Sequence, residues 1–342
     1  MLKRQLPIAL VVMALQLAFA PTSTAQCTMH WQTEIWYLGD PSLPPGTVCG
    51  PGQGPYSLMC SVPTTQCPVP MVWCPTCGKY IPVAAQPINL TNGNTYIQEL
   101  DVRVPGLGNG ITLQRTWNSM WPSDSASYQS GMFGSGWRST YEERLFTGNG
   151  NTTGYMVYLR EDGGLWYFSK SGDSTWSVAS PASSTATLTN NNNQTWTLLF
   201  QNGEQRVFSY ASGSLTAISD RNGNTKQLSY DGQNRLTTLT DPASRHLYFN
   251  YQNGSSSLVS SVTSDFGITL SYSYDTQGRL LQVTRPDQST LSFTYNNQSL
   301  ITAVTDSQGK TLESHSYDGQ GRGISASRAN GVEAVSVSYP NE

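Results

Sequence analysis

"YDGQNRLTTLTD" at residues 230–241, "YDTQGRLLQVTR" at 274–285, "YNNQSLITAVTD" at 295–306 and "YDGQGRGISASR" at 317–328 are four copies of one phrase. Each opens on a tyrosine. The tyrosines that mark this half of the chain are Tyr210, Tyr230, Tyr251, Tyr274, Tyr295, Tyr317 and Tyr339, at intervals of 20 to 23 residues. A fixed period of this length marks a repeat architecture in which each unit stacks on its neighbours. Such a chain is expected to be a scaffold and not an ordinary small-molecule enzyme.

Each unit reads as two short strands and two turns. The Tyr-Asp corner leads into a turn such as Gln277-Gly278, where glycine takes positive φ without a Cβ clash. A short apolar segment follows (Leu236, Leu239; Ile301, Val304), then a second turn such as Asp241-Pro242 or Asn222-Gly223. The returning segment alternates with period two: Leu247, Phe249, Tyr251; Leu270, Tyr272, Tyr274; Leu291, Phe293, Tyr295; Val335, Val337, Tyr339. That alternation places these residues on one buried face of a strand. Leu312 to Tyr317 holds one residue too many, which a β-bulge would absorb.

The pattern over roughly residues 206–339 resembles the YD repeats of the Rhs family, in which tyrosine-aspartate units wind a β-sheet into a large hollow shell. The copies at Tyr230 and Tyr274 fit best; Gln252 replaces the aspartate after Tyr251, and Gly323 stands where an apolar residue belongs. Upstream, "QPINLTNGNTYIQELDVRVPGLGNGITLQRTWNS" and "GMFGSGWRSTYEERL" resemble the domain of unknown function that precedes such repeats. The matching positions are Pro87, Asn89, Thr91, Gly93, Asp101, Pro105, Leu113, Arg115, Asn118, Ser119, Gly134, Gly136 and Trp137. Arg115 is expected to pair with Asp101 or Glu143, or to be solvated. Residues 146–205 read as further antiparallel strands, with hairpins at Asp162-Gly163-Gly164 and Gln201-Asn202-Gly203 and a loop over Ser177 to Asn193. The expected fold is all-β: a Cys-rich N-terminal segment, an antiparallel β domain, then YD-type hairpin repeats forming a spiralling sheet, part of a shell. The expected boundaries are 1–25, 26–80, 81–205 and 206–339.

Lys3 and Arg4, the apolar run from Ile8 to Ala20 and Ser23-Thr24-Ala25 read as a secretory leader cleaved before Gln26. The apolar run falls short of the ~20 residues needed to span a bilayer, and no second such stretch follows, so no transmembrane segment is expected. Without the leader the chain carries 17 basic and 22 acidic residues, a net of −5, and lacks the basic footprint of a nucleic-acid binder. Cys27, Cys49, Cys60, Cys67, Cys74 and Cys77 crowd a Pro/Gly-rich window. In an exported chain they are expected to form disulfides, with fifteen connectivities open. A zinc site at Cys67, Cys74 and Cys77 is the weaker alternative.

Catalytic motifs are missing: no Gly-x-Ser-x-Gly, His-Glu-x-x-His or P-loop occurs, and no cofactor or metal is expected. The histidines are His30, His246 and His315; the last two read as strand-surface residues. Asp220 to Asn224 resembles a calcium loop only superficially and reads better as a tight turn. Family members that deliver toxins end in a core-closing segment and a toxin domain, neither of which follows Tyr339 here. The expectation is therefore an exported, non-catalytic scaffold, the front part of a shell or a truncated relative of one, acting at the cell surface or between cells. Its partners would be a downstream shell or toxin polypeptide, or a second copy joined through the last strand, Val335 to Tyr339. The alternative is a binding module that meets a cell-surface glycan through Trp166, Tyr167 or Trp196, although core packing suits those rings better.

Overall fold

The computed structural model describes residues 88–90, 92–328, 331 and 334–339 in full, and 29–37, 48–51, 57–65, 71–74, 79–84 and 332–333 as backbone strands. In the unit ending at Pro68, Ser57–Thr65 lies between Met29–Tyr37 and Val48–Pro51 in an antiparallel sheet whose register sets Cys49 opposite Cys60. The leader, Cys27, Cys67 and Cys77 lie outside the described residues, as do the side chains of His30, Cys49, Cys60 and Cys74.

The second unit is dominated by one 19-stranded antiparallel sheet, from Arg144–Thr147 to Val332–Ser336, in which every strand pairs with its sequence neighbours. The all-β, repeat-built expectation is met. Period-two alternation decides the buried face: Leu247 and Phe249, Leu270 and Tyr272, and Leu291 and Phe293 are buried, while Tyr248, Ser271 and Thr294 face out. The sheet coils back on itself at its start. Arg144 bridges Ser214, and the Leu145 N–H donates to the Gly213 carbonyl at 2.9 Å. Gly213 has φ +68°, and a Cβ there would strike the Leu145 carbonyl, so this contact requires glycine.

Ser177 to Asn193 is not a loop. It contributes to the strands Thr175–Ser180 and Ala186–Asn191, because Ala186 and Leu188 are buried and the alternating Thr187 and Thr189 suit the other face of a pleated strand. The extra residue of the irregular unit is Leu312, left unpaired as Thr305 pairs with Thr311 and Val304 with Glu313. Bulges also recur opposite the repeat tyrosines, with Thr237, Ser260 and Thr302 as the extra residues. Their hydroxyls donate to the carbonyls of Ser229, Asn250 and Thr294 across the bulge. The last strand is Val332–Ser336, three residues earlier than the alternation suggests, since a further register shift falls between Ala326 and Arg328.

A three-stranded sheet of Tyr96–Val104, Ile111–Asn118 and Trp137–Ser139 packs against the inner face of the coil. Ile97, Val102, Ile111, Leu113, Trp117, Phe133 and Trp137 share one core with the inward leucines, valines and aromatics of the repeats. The Trp137 ring meets Phe293 edge-on at 5.2 Å, and Tyr141 meets Phe249 at 6.4 Å. No described helix is long and apolar enough to cross a membrane.

Candidate functional site

The repeating unit is fastened by three side chains. In the unit at Tyr230, one Asp231 oxygen accepts the N–H groups of Gln233 (2.9 Å) and Arg235 (3.0 Å), and the other accepts Arg235 Nε at 2.7 Å. Those hydrogen bonds, led by the one from the Arg235 backbone, hold the Asp231 carboxyl below its ordinary range. The Arg235 guanidinium lies 4.5 Å from the centre of the Tyr251 ring, and the Tyr251 hydroxyl donates back to the Leu236 carbonyl at 2.8 Å. Tyr251 therefore clasps the peptide that follows the previous unit's turn. Tyr295 repeats the clasp on Leu280 beneath Arg279, and Tyr339 repeats it on Gly323 beneath Arg322. Tyr230, Tyr274 and Tyr317 make the same hydroxyl bond to Leu215, Val259 and Ile301. Tyr210 does not share it: 44% exposed, it stacks on Trp196. Burial pushes the Tyr295 hydroxyl up to about 12, so it stays a donor at physiological pH.

Gly323 departs from the repeat consensus for a reason visible only in the fold. A side chain there would collide with Thr95 Oγ1 and crowd Ile88, and its N–H donates to the Gly93 carbonyl at 2.8 Å. The inner domain occupies the place of the missing apolar group.

The inner domain is keyed to the coil by a buried ion pair. Asp101 is the extra residue of a bulge between Leu100 and Val102, which turns its carboxylate toward the neighbouring strand. There it takes a two-pronged contact from Arg115, Nε to Oδ2 and Nη2 to Oδ1 (2.9 Å), with both side chains 1% exposed or less. The Tyr272 hydroxyl, from the repeat sheet, donates to the same carboxylate at 2.9 Å. The guanidinium lies 4.7 Å from the Trp137 ring centre, with the Phe133 and Tyr272 rings also near. Burial opposes the arginine's charge, Asp101 outweighs that effect, and the net shift is upward. Of the readings open for Arg115, the Asp101 pair is the one realised. Glu143 instead accepts the Tyr158 hydroxyl at 2.6 Å and Arg206 Nε at 3.2 Å.

A cavity of about 170 Å³ between inner domain and coil brings together Tyr141, Glu143, Glu161, Glu204, Arg206 and Lys226. Lys226 reaches across to the Gly108 carbonyl, and burial lowers its pKa. Partial burial, reinforced by Glu143, pushes the Glu161 carboxyl up to about 7. With Glu143 tied to Arg206 and Tyr158, the cluster is an ion-pair network that locks the two layers, and sequence spacing carries no signal for it.

His246 lies on the outer face, its Nδ1 2.7 Å from Asp265. His315 does not lie on the surface: its side chain is fully enclosed, 3.4 Å from Glu313, because the Leu312 bulge reverses the faces of this strand. Asp220 caps a tight turn, its carboxylate accepting the Asn222 and Asn224 N–H groups at 2.8 and 2.9 Å. Trp166 and Trp196 are buried, and the Tyr167 hydroxyl donates to Asp124 at 2.8 Å, so these rings do not form an open platform.

Residues 85–168 match the family model "Domain of unknown function (DUF6531)", and residues 210–246, 256–290 and 274–311 match "RHS Repeat". Among curated proteins, the "tRNA nuclease WapA" of Bacillus subtilis (strain 168) is 28% identical over 157 residues, which is 46% of this chain and 6% of that one. The "tRNA3(Ser)-specific nuclease WapA" of Bacillus spizizenii matches to the same extent. Among solved structures, a crystal structure of TcdB2-TccC3-TEV aligns with 68% of this chain and 14% of its own, at 12% identity and a TM-score of 0.27. The Photorhabdus luminescens Tc holotoxin pore aligns with 70% and 17%, at 12% identity and a TM-score of 0.25. The clasps of Tyr230, Tyr274 and Tyr295 and the buried Asp101–Arg115 pair fall within the matched segments, and the chain belongs to the Rhs family of YD-repeat proteins.

Proposed function

We propose that this chain is an exported, non-catalytic scaffold, a front portion of an Rhs-type shell that works at the cell surface or between cells. One observation carries the reading: a single sheet in which each unit clasps the one before, ending on a strand, Val332–Ser336, that is paired on one side only among the described residues. An open edge offers N–H and C=O groups to a further strand. Its partner would be a downstream shell or toxin polypeptide, or a second copy of the chain. The relatives' nuclease names belong to proteins of which this chain matches 6%, and they supply no activity to it. The scarcity of charge, 12% of residues, suits a wall of β-structure more than a nucleic-acid surface. The leader and clustered cysteines support export into an oxidising compartment.

The test is light scattering of the secreted protein, alone and with the polypeptide encoded downstream. Association is expected, and Val337→Lys, directly after the terminal strand and held alongside the preceding one by its N–H to the Ile324 carbonyl, should weaken it. A monodisperse monomer at tens of micromolar that ignores the downstream polypeptide would refute the edge reading.

A further inference from the structure

A second cavity, of about 190 Å³, lies where the inner domain runs into the coil, with Arg138, Glu142 and Arg144 on one side and the clasping tyrosines Tyr230 and Tyr251 on the other. In each of those three charged side chains one buried polar atom has no hydrogen-bond partner among the described residues: Arg138 Nε, Glu142 Oε2 and Arg144 Nε. Their remaining polar atoms are fixed. Arg138, only 4% exposed, donates through Nη1 to the Tyr128 carbonyl at 2.9 Å and through Nη2 to the Glu142 carbonyl. Arg144 Nη2 donates to the Ser212 carbonyl at 2.9 Å, and its guanidinium lies 5.1 Å from the Tyr128 ring centre. Glu142 Oε1 accepts the Met132 N–H at 2.6 Å. None of the three side chains can turn away without giving up a bond it already makes.

The other charges on the cavity wall are committed elsewhere, Glu143 to Arg206 and Arg235 to Asp231. Two guanidiniums against one carboxylate leave an excess of one positive charge. Burial lowers the Arg138 pKa by more than Glu142 raises it, so a further negative charge nearby would favour the guanidinium. Guanidinium N–H groups only donate, and an ionised carboxylate only accepts. A ligand that meets all three atoms therefore needs an anionic oxygen for the arginines and an O–H for Glu142. Water or a zwitterionic amino acid would meet the same atoms and leave the excess charge uncompensated. The volume falls below the ~300–1,000 Å³ of drug-sized pockets, which suits a molecule of a few heavy atoms.

We propose that the cavity lined by Arg138, Glu142 and Arg144 binds a small oxyanion carrying one negative charge and its own hydroxyl, a hydroxycarboxylate or dihydrogen phosphate. Bound there, it would staple the inner domain to the first clasps of the coil. The site lies at the start of the coil, away from the open last strand, so it can exist whether or not a shell forms.

The experiment is calorimetric titration of the secreted protein at mildly acidic pH, where phosphate is largely a monoanion, with ionic strength held constant by sodium chloride. The probes form two pairs, glycolate with acetate and phosphate with sulfate, since the second member of each lacks the hydroxyl. Glycolate, phosphate or both should bind saturably, and whichever binds identifies the source. Its partner should bind about tenfold more weakly or less, the order of one hydrogen bond to a charged group. That comparison needs no variant. Arg144→Gln should weaken binding by about tenfold. Glu142→Gln, which offers a donor where the parent has an acceptor, should abolish the preference for the hydroxyl-bearing probe. The proposal is overturned if no probe binds above the chloride background, if acetate and sulfate bind as tightly as glycolate and phosphate, or if a folded Arg144→Gln binds as the parent does.

Discussion

Replacing Asp101 with Asn keeps the shape of the side chain and removes its charge. In the parent protein the carboxylate accepts two hydrogen bonds from Arg115 and one from Tyr272, and neither member of the ion pair is more than 1% exposed. The variant leaves a guanidinium enclosed by Trp137, Phe133 and Tyr272 without its contacting carboxylate, with Glu99 as the remaining nearby negative charge. Breaking a buried pair in this way costs about 3–5 kcal/mol. For a unit of this size that corresponds to a fall in melting temperature of roughly 6–20 °C. Calorimetry of the purified chain reads the shift. Adding Arg115→Met removes the stranded charge and puts an unbranched apolar side chain among the three rings. The double variant should recover to within about 1–2 kcal/mol of the parent. If Asp101→Asn costs under about 1 kcal/mol, or the double variant is no better than the single, the pair does not key the two layers together.

The clasp predicts a graded series at Tyr251. Tyr251→Phe loses the bond to Leu236 and should cost about 1 kcal/mol. Tyr251→Ser also loses a half-buried ring and should cost roughly 2–4 kcal/mol, whereas Asn250→Ser on the outer face stays under about 0.5 kcal/mol. Urea midpoints separate these, and equal effects at the two positions would mean that the faces are misassigned. The Glu161 pKa is raised to about 7, so its contribution to stability is present below the ordinary carboxylate range and lost as pH rises toward 7. The side chain is 38% exposed, so screening holds this to about 1 kcal/mol or less. Glu161→Gln should flatten the stability profile between pH ~4.5 and ~7, and an unchanged slope would assign it to another group. Mass spectrometry of the secreted protein should show Gln26 at the start, no free thiol, and a cross-linked peptide joining Cys49 to Cys60, which face each other in register. Alkylation of several cysteines without denaturation would oppose this.

The repeats were legible because their information is local. Period-two runs such as Leu291, Phe293, Tyr295 and turn residues such as Asp275 and Gly278 fix strands and turns within a few residues. The fate of the tyrosines was legible only in part. Alternation puts Tyr251 on the inner face, but the bulge at Ser260 turns it onto Leu236, 15 residues back, and a bulge of one residue leaves no mark on hydrophobic periodicity. The lock between inner domain and coil was illegible, because its partners stand far apart. Asp101 and Tyr272 are separated by 171 residues, Gly108 and Lys226 by 118, and only the coil brings them together. Gly323 illustrates the same limit, since its departure from the repeat is explained by Thr95 and Ile88 from the other end of the unit.

The inner domain and the coil share one core, and they should open as one cooperative body. Segment-resolved hydrogen exchange of the intact chain tests it. Amides of Ile111–Asn118 and of the strands Thr225–Tyr230 to Thr290–Tyr295 should share one slow, global opening, and Asp101→Asn should accelerate all of them together. Opening of Tyr96–Ser139 at its own faster rate, with the repeats still protected, would contradict it.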